Sequence, residues 1–351
     1  MHATVASVLH NVVEQVPLGK DGNPLFSRIP DSIRGQINDG AASQALSAAG
    51  VEIRCRVGEN GGVLHLWVDG KEAVPVELYF GDYLLWTFPI GPGKHEVPLS
   101  RGISYPWLSW REVGRDLRGI LGTLPRRRYN PELVRVVFPN KARVGLLDCT
   151  GDIFPALPGD VPQYTLLGYG SSITMGVEAI RMNDAYLSLV AEQLGCDCLN
   201  LGFAGSALCE ESIADWIHTR DDWDIGLFEM GINMDGLLPD VFTSRIRSFV
   251  AIVGGKVSTR PVFAMDQFRH FNDLPGINSV RVIQKRQVVL DAVTELGGPK
   301  TQYIPVQDLP DISGLCADLL HPSPLGMHQM ADSITRTIRN SALWQELILQ
   351  R

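Results

Sequence analysis

The sequence lacks several features that would assign it to a broad class at once. None of its stretches approaches the roughly 18 consecutive apolar residues of a membrane-spanning helix, so we expect no membrane association. Residues 1–19 have short apolar runs and no basic start, which does not fit a secretory signal and predicts a cytoplasmic protein. Positive charge is not in excess: 31 Lys and Arg against 39 Asp and Glu give −8, which argues against a nucleic-acid-binding face.

Cysteine is scarce for a chain of 351 residues. The six cysteines are widely spread and no export signal accompanies them, so we expect reduced thiols rather than a disulfide framework. Cys196 and Cys198 lie two residues apart, but no further ligands follow at a suitable spacing, and the sequence predicts no metal site. The basic cluster at 126–128 is interpreted as a solvent-exposed loop, with an anion contact as the alternative.

The pattern of apolar and polar residues divides the chain near residue 155. Segments such as 51–57 and 63–70 alternate apolar and polar residues, and turn signals recur about every 8–12 residues. This pattern predicts an all-β sandwich domain over residues 1–155. The segment 148–162 contains several prolines and glycines, and we interpret it as the linker.

Residues 160–351 show a different residue pattern, in which short apolar segments alternate with segments of helical periodicity. The predicted strands are 164–168, 196–201, 224–229, 261–266 and 302–306. The predicted helices are 184–194, 213–218, 239–253, 277–296 and 326–349. This alternation predicts an α/β domain with a parallel five-stranded sheet covered on both faces. Ligands of such sheets bind beyond the carboxyl ends of the strands, so the loops there are the candidate site.

Three of these loops carry residues suited to acyl chemistry. Ser172 lies in a glycine-flanked turn after the first strand, where a hydroxyl can be presented near the amides of the next helix. Gly205 follows the second strand and would let backbone N–H groups approach a ligand. Asn233 follows the third strand and offers an amide donor to an oxyanion. The alternatives are a helix cap, a plain loop and an Asx turn respectively.

The strongest local signal is Asp318 followed three residues later by His321, just before the last helix. A carboxylate at this spacing can accept the Nδ1 proton of the histidine, which leaves Nε2 to take a proton from a serine. An ordinary surface pair is the alternative. His270, which follows the fourth strand, is a candidate substrate contact.

Together these motifs resemble those of the SGNH (GDSL-type) hydrolase superfamily, over about residues 164–338. The four family blocks correspond in order to Gly170-Ser171-Ser172-Ile173-Thr174, to Gly205, to Asn233, and to Asp318 with His321. Two positions depart from the common pattern: Ser171 stands where the GDS block has aspartate, and Met234 stands where the GxND block has aspartate. Both departures are similar to a subgroup that carries an N-terminal jelly-roll-like β domain.

The resemblance implies a flavodoxin-like three-layer domain over 160–351 and a serine esterase acting on a small acyl ester. It implies that Ser172 is the nucleophile, that His321 is its base and that Asp318 orients the histidine. The backbone N–H groups of Ser172 and Gly205 and the side chain of Asn233 would hold the oxyanion, with no cofactor. The expected partner is a small-molecule ester, with an acetylated carbohydrate or a natural product as candidates.

Two alternatives stay open at this point. An acyltransferase would use the same residues with an alcohol in place of water. A carbohydrate-binding protein with an inactive hydrolase domain would use aromatic platforms such as Trp67, Trp86, Trp107 and Trp110, although these residues are better interpreted as core. Trp107 is also a candidate substrate contact from the β domain. The sequence gives no prediction of oligomeric state.

Overall fold

The structure is a computed structural model that describes residues 4–100, 121, 123, 128–256, 258–274, 277 and 279–349. The chain forms two compact units. One comprises Met1–Pro30 and Leu46–Gln163, and the other comprises Asp31–Ala45 and Tyr164–Arg351. The predicted division assigned all of residues 1–155 to the β domain, whereas Asp31–Ala45 clusters with the α/β unit. Trp107, Trp110, Arg126 and Arg127 lie outside the described residues.

The first unit is an antiparallel β-rich region. Its strands are β1 (Leu9–His10), β2 (Glu14–Val16), β3 (Leu25–Ser27), β4 (Glu52–Asp69), β5 (Val74–Phe80), β6 (Tyr83–Ile90), β7 (Gly93–Leu99), β8 (Leu133–Val137) and β9 (Arg143–Pro155). Strands β2 and β3 pair with each other, and the other seven form one sheet in the order β1-β4-β8-β5-β6, with β7 and β9 also paired to β4. The antiparallel β architecture agrees with the prediction, and its stacking as a jelly roll stays a prediction.

Strand β4 has a change of register that its sequence pattern explains. Core residues occupy odd positions at Ile53, Cys55 and Val57 but even positions at 64, 66 and 68. Because side chains alternate between faces along a strand, the chain must slip by an odd number of residues to keep both groups in the core. The pairing of β4 with β9 shifts between Val57 and Gly62, which supplies this slip.

The second unit contains a parallel five-stranded sheet, and the predicted α/β fold is confirmed. Its strands are β10 (Thr165–Gly170), β11 (Asp197–Gly202), β12 (Ile225–Glu229), β13 (Val262–Met265) and β14 (Thr301–Ile304). Their order is β11-β10-β12-β13-β14. This order corresponds to the flavodoxin-like arrangement, in which the switch point lies between the first and third strands of the unit. The loops after β10, β11 and β12 are therefore neighbours at one edge of the sheet.

Helices cover both faces of this sheet. The α-helices described in this unit are α1 (Asp31–Arg34), α2 (Asp39–Gln44), α3 (Ser172–Met175), α4 (Tyr186–Leu194), α5 (Glu211–Thr219), α6 (Pro239–Gly254), α7 (Ser279–Leu296), α8 (Pro324–Arg339) and α9 (Ala342–Leu349). Leu187 of α4 and Met330 of α8 share one buried cluster with the sheet. On the opposite face Phe249 of α6 stacks on Tyr169, with ring centroids 4.8 Å apart. Among the residues described, no helix combines the length and apolar character needed to cross a membrane.

The prediction of one helix over 326–349 is wrong. The chain leaves helix α8 after Arg339 and begins α9 at Ala342. Ser341 explains the break, because its Oγ accepts the N–H of Trp344 at 3.1 Å and donates to the carbonyl oxygen of Ile338 at 2.8 Å. A serine side chain that bonds the amide three residues later is a helix N-cap, so α9 starts anew.

Candidate active site

Ser172 begins a short helix directly after the central strand β10. Ser171 is the N-cap of that helix, and its Oγ accepts the N–H of Ile173 at 3.2 Å. The chain passes tightly into this turn: a Cβ on Gly170 would lie 2.4 Å from both Glu229 Oε2 and Thr174 Oγ1. A glycine is thus required before the turn, and the turn leaves the side chain of Ser172 partly exposed.

His321 lies within hydrogen-bonding distance of Ser172, although 149 residues separate them along the chain. The distance from His321 Nε2 to Ser172 Oγ is 2.8 Å, and that from Nδ1 to Asp318 Oδ2 is 2.6 Å. A carboxylate at Nδ1 accepts the proton there and leaves the lone pair of Nε2 directed at the serine hydroxyl. The structure thus brings together the three residues that the sequence singled out.

Asp318 is itself held by its own loop. Partial burial opposes ionisation, but the His321 side chain and the backbone N–H groups of His321 and Leu320 bond to it and lower the pKa of Asp318 below its usual value. Both backbone bonds, to Oδ1, are 3.0 Å long. A lowered pKa means that Asp318 stabilises the fold above the ordinary aspartate pKa and loses this effect as the pH falls through the lower value.

Gly205 and Asn233 lie in the two loops beside Ser172. Gly205 has a φ of +67°, and a Cβ there would meet nothing within 4 Å. Glycine is therefore favoured here by the left-handed backbone conformation and not by a lack of space for a side chain. The N–H of Phe203 donates to the carbonyl oxygen of Gly170 at 2.8 Å, which ties the Gly205 loop to the end of β10. The Oδ1 of Asn233 accepts the N–H of Ala207 at 3.1 Å.

Comparison with known proteins identifies the family of the chain. The family model for the GDSL-like lipase/acylhydrolase family matches residues 163–339, half of the chain. The chain belongs to this family. No curated protein sequence matches the chain. The resemblance to SGNH (GDSL-type) enzymes is therefore confirmed, and with it the class of ester hydrolases and related acyltransferases.

Solved structures similar to this GDSL-like chain extend over both units. A salicylyl-acyltransferase, SsfX3, from a tetracycline biosynthetic pathway matches with a TM-score of 0.70 at 17% identity, covering 95% of this chain and 94% of its own. A family two carbohydrate esterase from Clostridium thermocellum has a TM-score of 0.57 at 14% identity, covering 84% and 92%. An acetyl xylan esterase from the rumen bacterium Butyrivibrio proteoclasticus has a TM-score of 0.56 at 13% identity, covering 98% and 99%. These likenesses show a shared fold.

Two supports of the GDSL-like site were missed by sequence reasoning. Asp235, one residue after Met234, accepts Lys285 Nζ at 2.5 Å and Gln267 Nε2 at 3.2 Å, which anchors the loop that carries Asn233. Glu229, the last residue of β12, accepts a backbone bond from Ser171 at 2.7 Å. For Glu229 the sequence did offer a signal, since an acidic residue at the end of a buried strand needs a hydrogen-bond partner in a neighbouring loop.

The two predicted substrate contacts gain no support. His270 is fully buried, its Nδ1 lies 2.9 Å from the carbonyl oxygen of Phe268, and its Nε2 faces Asn272 and Asp235. No surface of its side chain is open to a ligand in this structure, which gives no support to His270 as a substrate contact. That role stays a prediction. Trp107 lies outside the described residues. Within the described part of the chain, no three His, Cys, Asp or Glu side chains are grouped as metal ligands would be.

Proposed function

We propose that the protein is a serine esterase that hydrolyses a small acyl ester through an acyl-Ser172 intermediate. The observation that carries this proposal is the 2.8 Å distance between Ser172 Oγ and His321 Nε2, with Asp318 Oδ2 2.6 Å from Nδ1. A nucleophile within hydrogen-bonding distance of a base, itself oriented by a third group, is the arrangement that activates a serine.

The proposed reaction has two halves. His321 Nε2 takes the hydroxyl proton as Ser172 Oγ forms a bond to the ester carbonyl carbon, and the carbonyl oxygen becomes an oxyanion. When the tetrahedral intermediate collapses, the bond to the alcohol oxygen breaks and His321 returns the proton to that oxygen. A water molecule then attacks the acyl-serine in the same way, giving the acid and free Ser172. Asp318 stabilises the imidazolium in both halves.

The proposed oxyanion donors are the N–H groups of Ser172 and Gly205 and the Nδ2 of Asn233. Since Asn233 Oδ1 is taken up by the N–H of Ala207, the donor end of the amide is the end left for a ligand. Preorganised donors of this kind each contribute about 3–4 kcal/mol to transition-state stabilisation.

The acyl acceptor distinguishes the main candidates. The carbohydrate esterases and the acetyl xylan esterase among the similar structures favour water as acceptor and an acetylated carbohydrate as substrate. The salicylyl-acyltransferase, which has the higher TM-score of 0.70, favours an alcohol acceptor as the alternative. A carbohydrate-binding protein with an inactive hydrolase domain is the third candidate, and the complete set of Ser172, His321 and Asp318 argues against it.

Intact-protein mass spectrometry after incubation with a panel of activated esters and a phosphonate tests the proposal. We expect an adduct on the wild-type chain, none on Ser172→Ala, and an undiminished adduct on the control Ser333→Ala in helix α8. Product analysis with and without added alcohols then separates hydrolysis from acyl transfer. Absence of any adduct on the wild type, or an equal adduct on Ser172→Ala, would refute the proposal.

A further inference from the structure

Glu229 lies behind the nucleophile turn, at the end of strand β12 and next to β10. Its side chain is fully buried. One carboxyl oxygen, Oε2, accepts the backbone N–H of Ser171 at 2.7 Å and the hydroxyl of Thr174 at 2.9 Å. Ser171 immediately precedes Ser172 and Thr174 follows two residues later, so a single oxygen atom holds the turn on both sides of the nucleophile.

Within the described part of the chain, no cation forms an ion pair with Glu229 or contributes to the shift of its pKa. Its second oxygen, Oε1, is buried without a hydrogen-bond partner. The groups that face it are Thr174, the hydroxyl of Tyr186, 2.8 Å from Thr174 Oγ1, and Cys209. Burying an unpaired carboxylate is expensive, whereas a carboxylic acid loses much less on burial.

The titration behaviour agrees with this chemistry. Burial raises the pKa of Glu229, and the bonds from Ser171 and Thr174 oppose that rise only in part. The two bonds to Oε2 match the lone pairs of a single carboxyl oxygen, so this atom can accept both of them at once.

We infer that Glu229 is a positioning residue for Ser172, which acts by accepting two hydrogen bonds through Oε2 and not through an ion pair. This inference rests on the proposed esterase function. Its consequence is that the shape of the turn, and with it the direction of Ser172 Oγ toward His321, depends on an acceptor at this position. Misplacing a reacting atom by about 1 Å can cost about 10²-fold in rate.

Two substitutions at position 229 separate the acceptor from the charge. Glu229→Gln keeps a carbonyl oxygen that can accept both bonds, and we expect its kcat to stay within about 3-fold of wild type with an unchanged pH profile. Glu229→Leu fills a similar space without an acceptor, and we expect kcat to fall by about 10²-fold, with KM changed by less than about 3-fold. Rates are normalised to the number of sites that a phosphonate titrates.

Thr174→Val provides a second test should Glu229→Leu fail to fold. It removes one of the two donors and keeps the shape of the side chain, and we expect kcat to fall severalfold at constant KM. The inference is overturned if Glu229→Gln is as impaired as Glu229→Leu, or if neither Glu229→Leu nor Thr174→Val lowers kcat. Ser172→Ala is assayed in parallel. If this variant still turns over the ester, the esterase proposal itself is refuted. If Ser172→Ala is inactive while Glu229→Leu keeps the activity of wild type, only the role of Glu229 is refuted.

Discussion

Asn233 offers the side-chain amide of the proposed oxyanion site, and a bond to the neighbouring loop sets the orientation of that amide. Its Oδ1 accepts the N–H of Ala207 at 3.1 Å, so its donor end faces away from Ala207. An oxyanion site needs donors at fixed positions, because donors that must reorganise during the reaction stabilise the transition state less. The bond to Ala207 therefore makes the amide a preorganised donor.

Replacing Asn233 by aspartate removes this donor and adds a carboxylate charge that repels an oxyanion. Asn233→Asp keeps an oxygen for the N–H of Ala207 and loses both amide hydrogens, so the loop retains its bond and the oxyanion loses a donor. We expect kcat to fall by at least about 10²–10³-fold, the cost of one lost donor, with a smaller change in KM. Steady-state kinetics on an activated ester measures the effect, and urea denaturation confirms the fold. A kcat equal to wild type would exclude Asn233 from the oxyanion site.

Leu319 has an unusual backbone conformation between Asp318 and His321. Its φ of +53° lies in the left-handed region, which costs a residue with a branched side chain about 1–2 kcal/mol. The turn lets the carboxylate of Asp318 receive backbone bonds from Leu320 and His321 while it faces the imidazole. Strain at this point is consistent with a loop whose geometry is set by its function.

Asparagine tolerates the left-handed region better than leucine, which gives a prediction for this loop. We expect Leu319→Asn to raise the free energy of unfolding by up to about 1 kcal/mol and to leave kcat within about 2-fold, because Asp318 and His321 keep their positions. Thermal and urea denaturation with parallel kinetics provide the measurement. A large loss of stability would mean that the packing of the Leu319 side chain outweighs the backbone strain.

Strand β13 ends beside a second buried carboxyl group, Asp266. Burial raises the pKa of Asp266 to about 6, although a bond from Tyr303 and the charge of Arg286 oppose the rise. The folded state therefore binds this proton more tightly than the unfolded chain, where an aspartate titrates near about 4. The contribution of Asp266 to stability is most favourable below pH about 4 and is lost as the pH rises through about 6, a change of about 3 kcal/mol.

Asp266→Asn should remove this pH dependence, because an amide has no proton to lose and can still accept from Tyr303. We expect the free energy of unfolding of the variant, relative to wild type, to rise between pH 4 and pH 7 by up to about 3 kcal/mol. Urea denaturation at steps of one pH unit measures the difference. Stability curves that run parallel over this range would show that Asp266 does not titrate as described.

Sequence patterns predicted those elements whose signal is local. The apolar periodicity of α6 and α7 and the short spacing of Asp318 and His321 needed no information from elsewhere in the chain. The break between α8 and α9 was missed because the apolar periodicity continues through it. The break depends on the hydroxyl of a single residue, Ser341, which caps α9. Glu229 and Asp235 were missed because their partners, Ser171 and Lys285, are about 50 or more residues away.

The segment Asp31–Ala45 lies in the N-terminal part of the chain but belongs to the α/β unit, where it bonds to the loop after β11. Asn38 donates from Nδ2 to the carbonyl oxygen of Ser206 at 3.0 Å and to Glu210 Oε1 at 2.8 Å, and its backbone N–H also bonds Glu210 at 2.9 Å. The approach is close, since a Cβ on Gly40 would lie 2.2 Å from Ser206 Oγ. These bonds fix the loop that begins at Gly205, so the proposed oxyanion site depends on a segment more than 160 residues earlier.

Deleting residues 1–155 would therefore be an ambiguous test of the β domain, because it also removes Asn38. Asn38→Ala in the full chain is sharper. It removes the Nδ2 bonds to Ser206 and Glu210 and the cap that Asn38 Oδ1 provides to the N–H of Ala41, and it leaves the backbone bond to Glu210, so we expect a loss of about 2 kcal/mol in stability. We also expect kcat to fall severalfold as the Gly205 loop gains freedom. The control is Asn60→Ala, the same substitution in the β-rich unit, which should leave kcat unchanged. An equal kcat in both variants would show that Asp31–Ala45 stabilises the α/β unit without positioning the Gly205 loop.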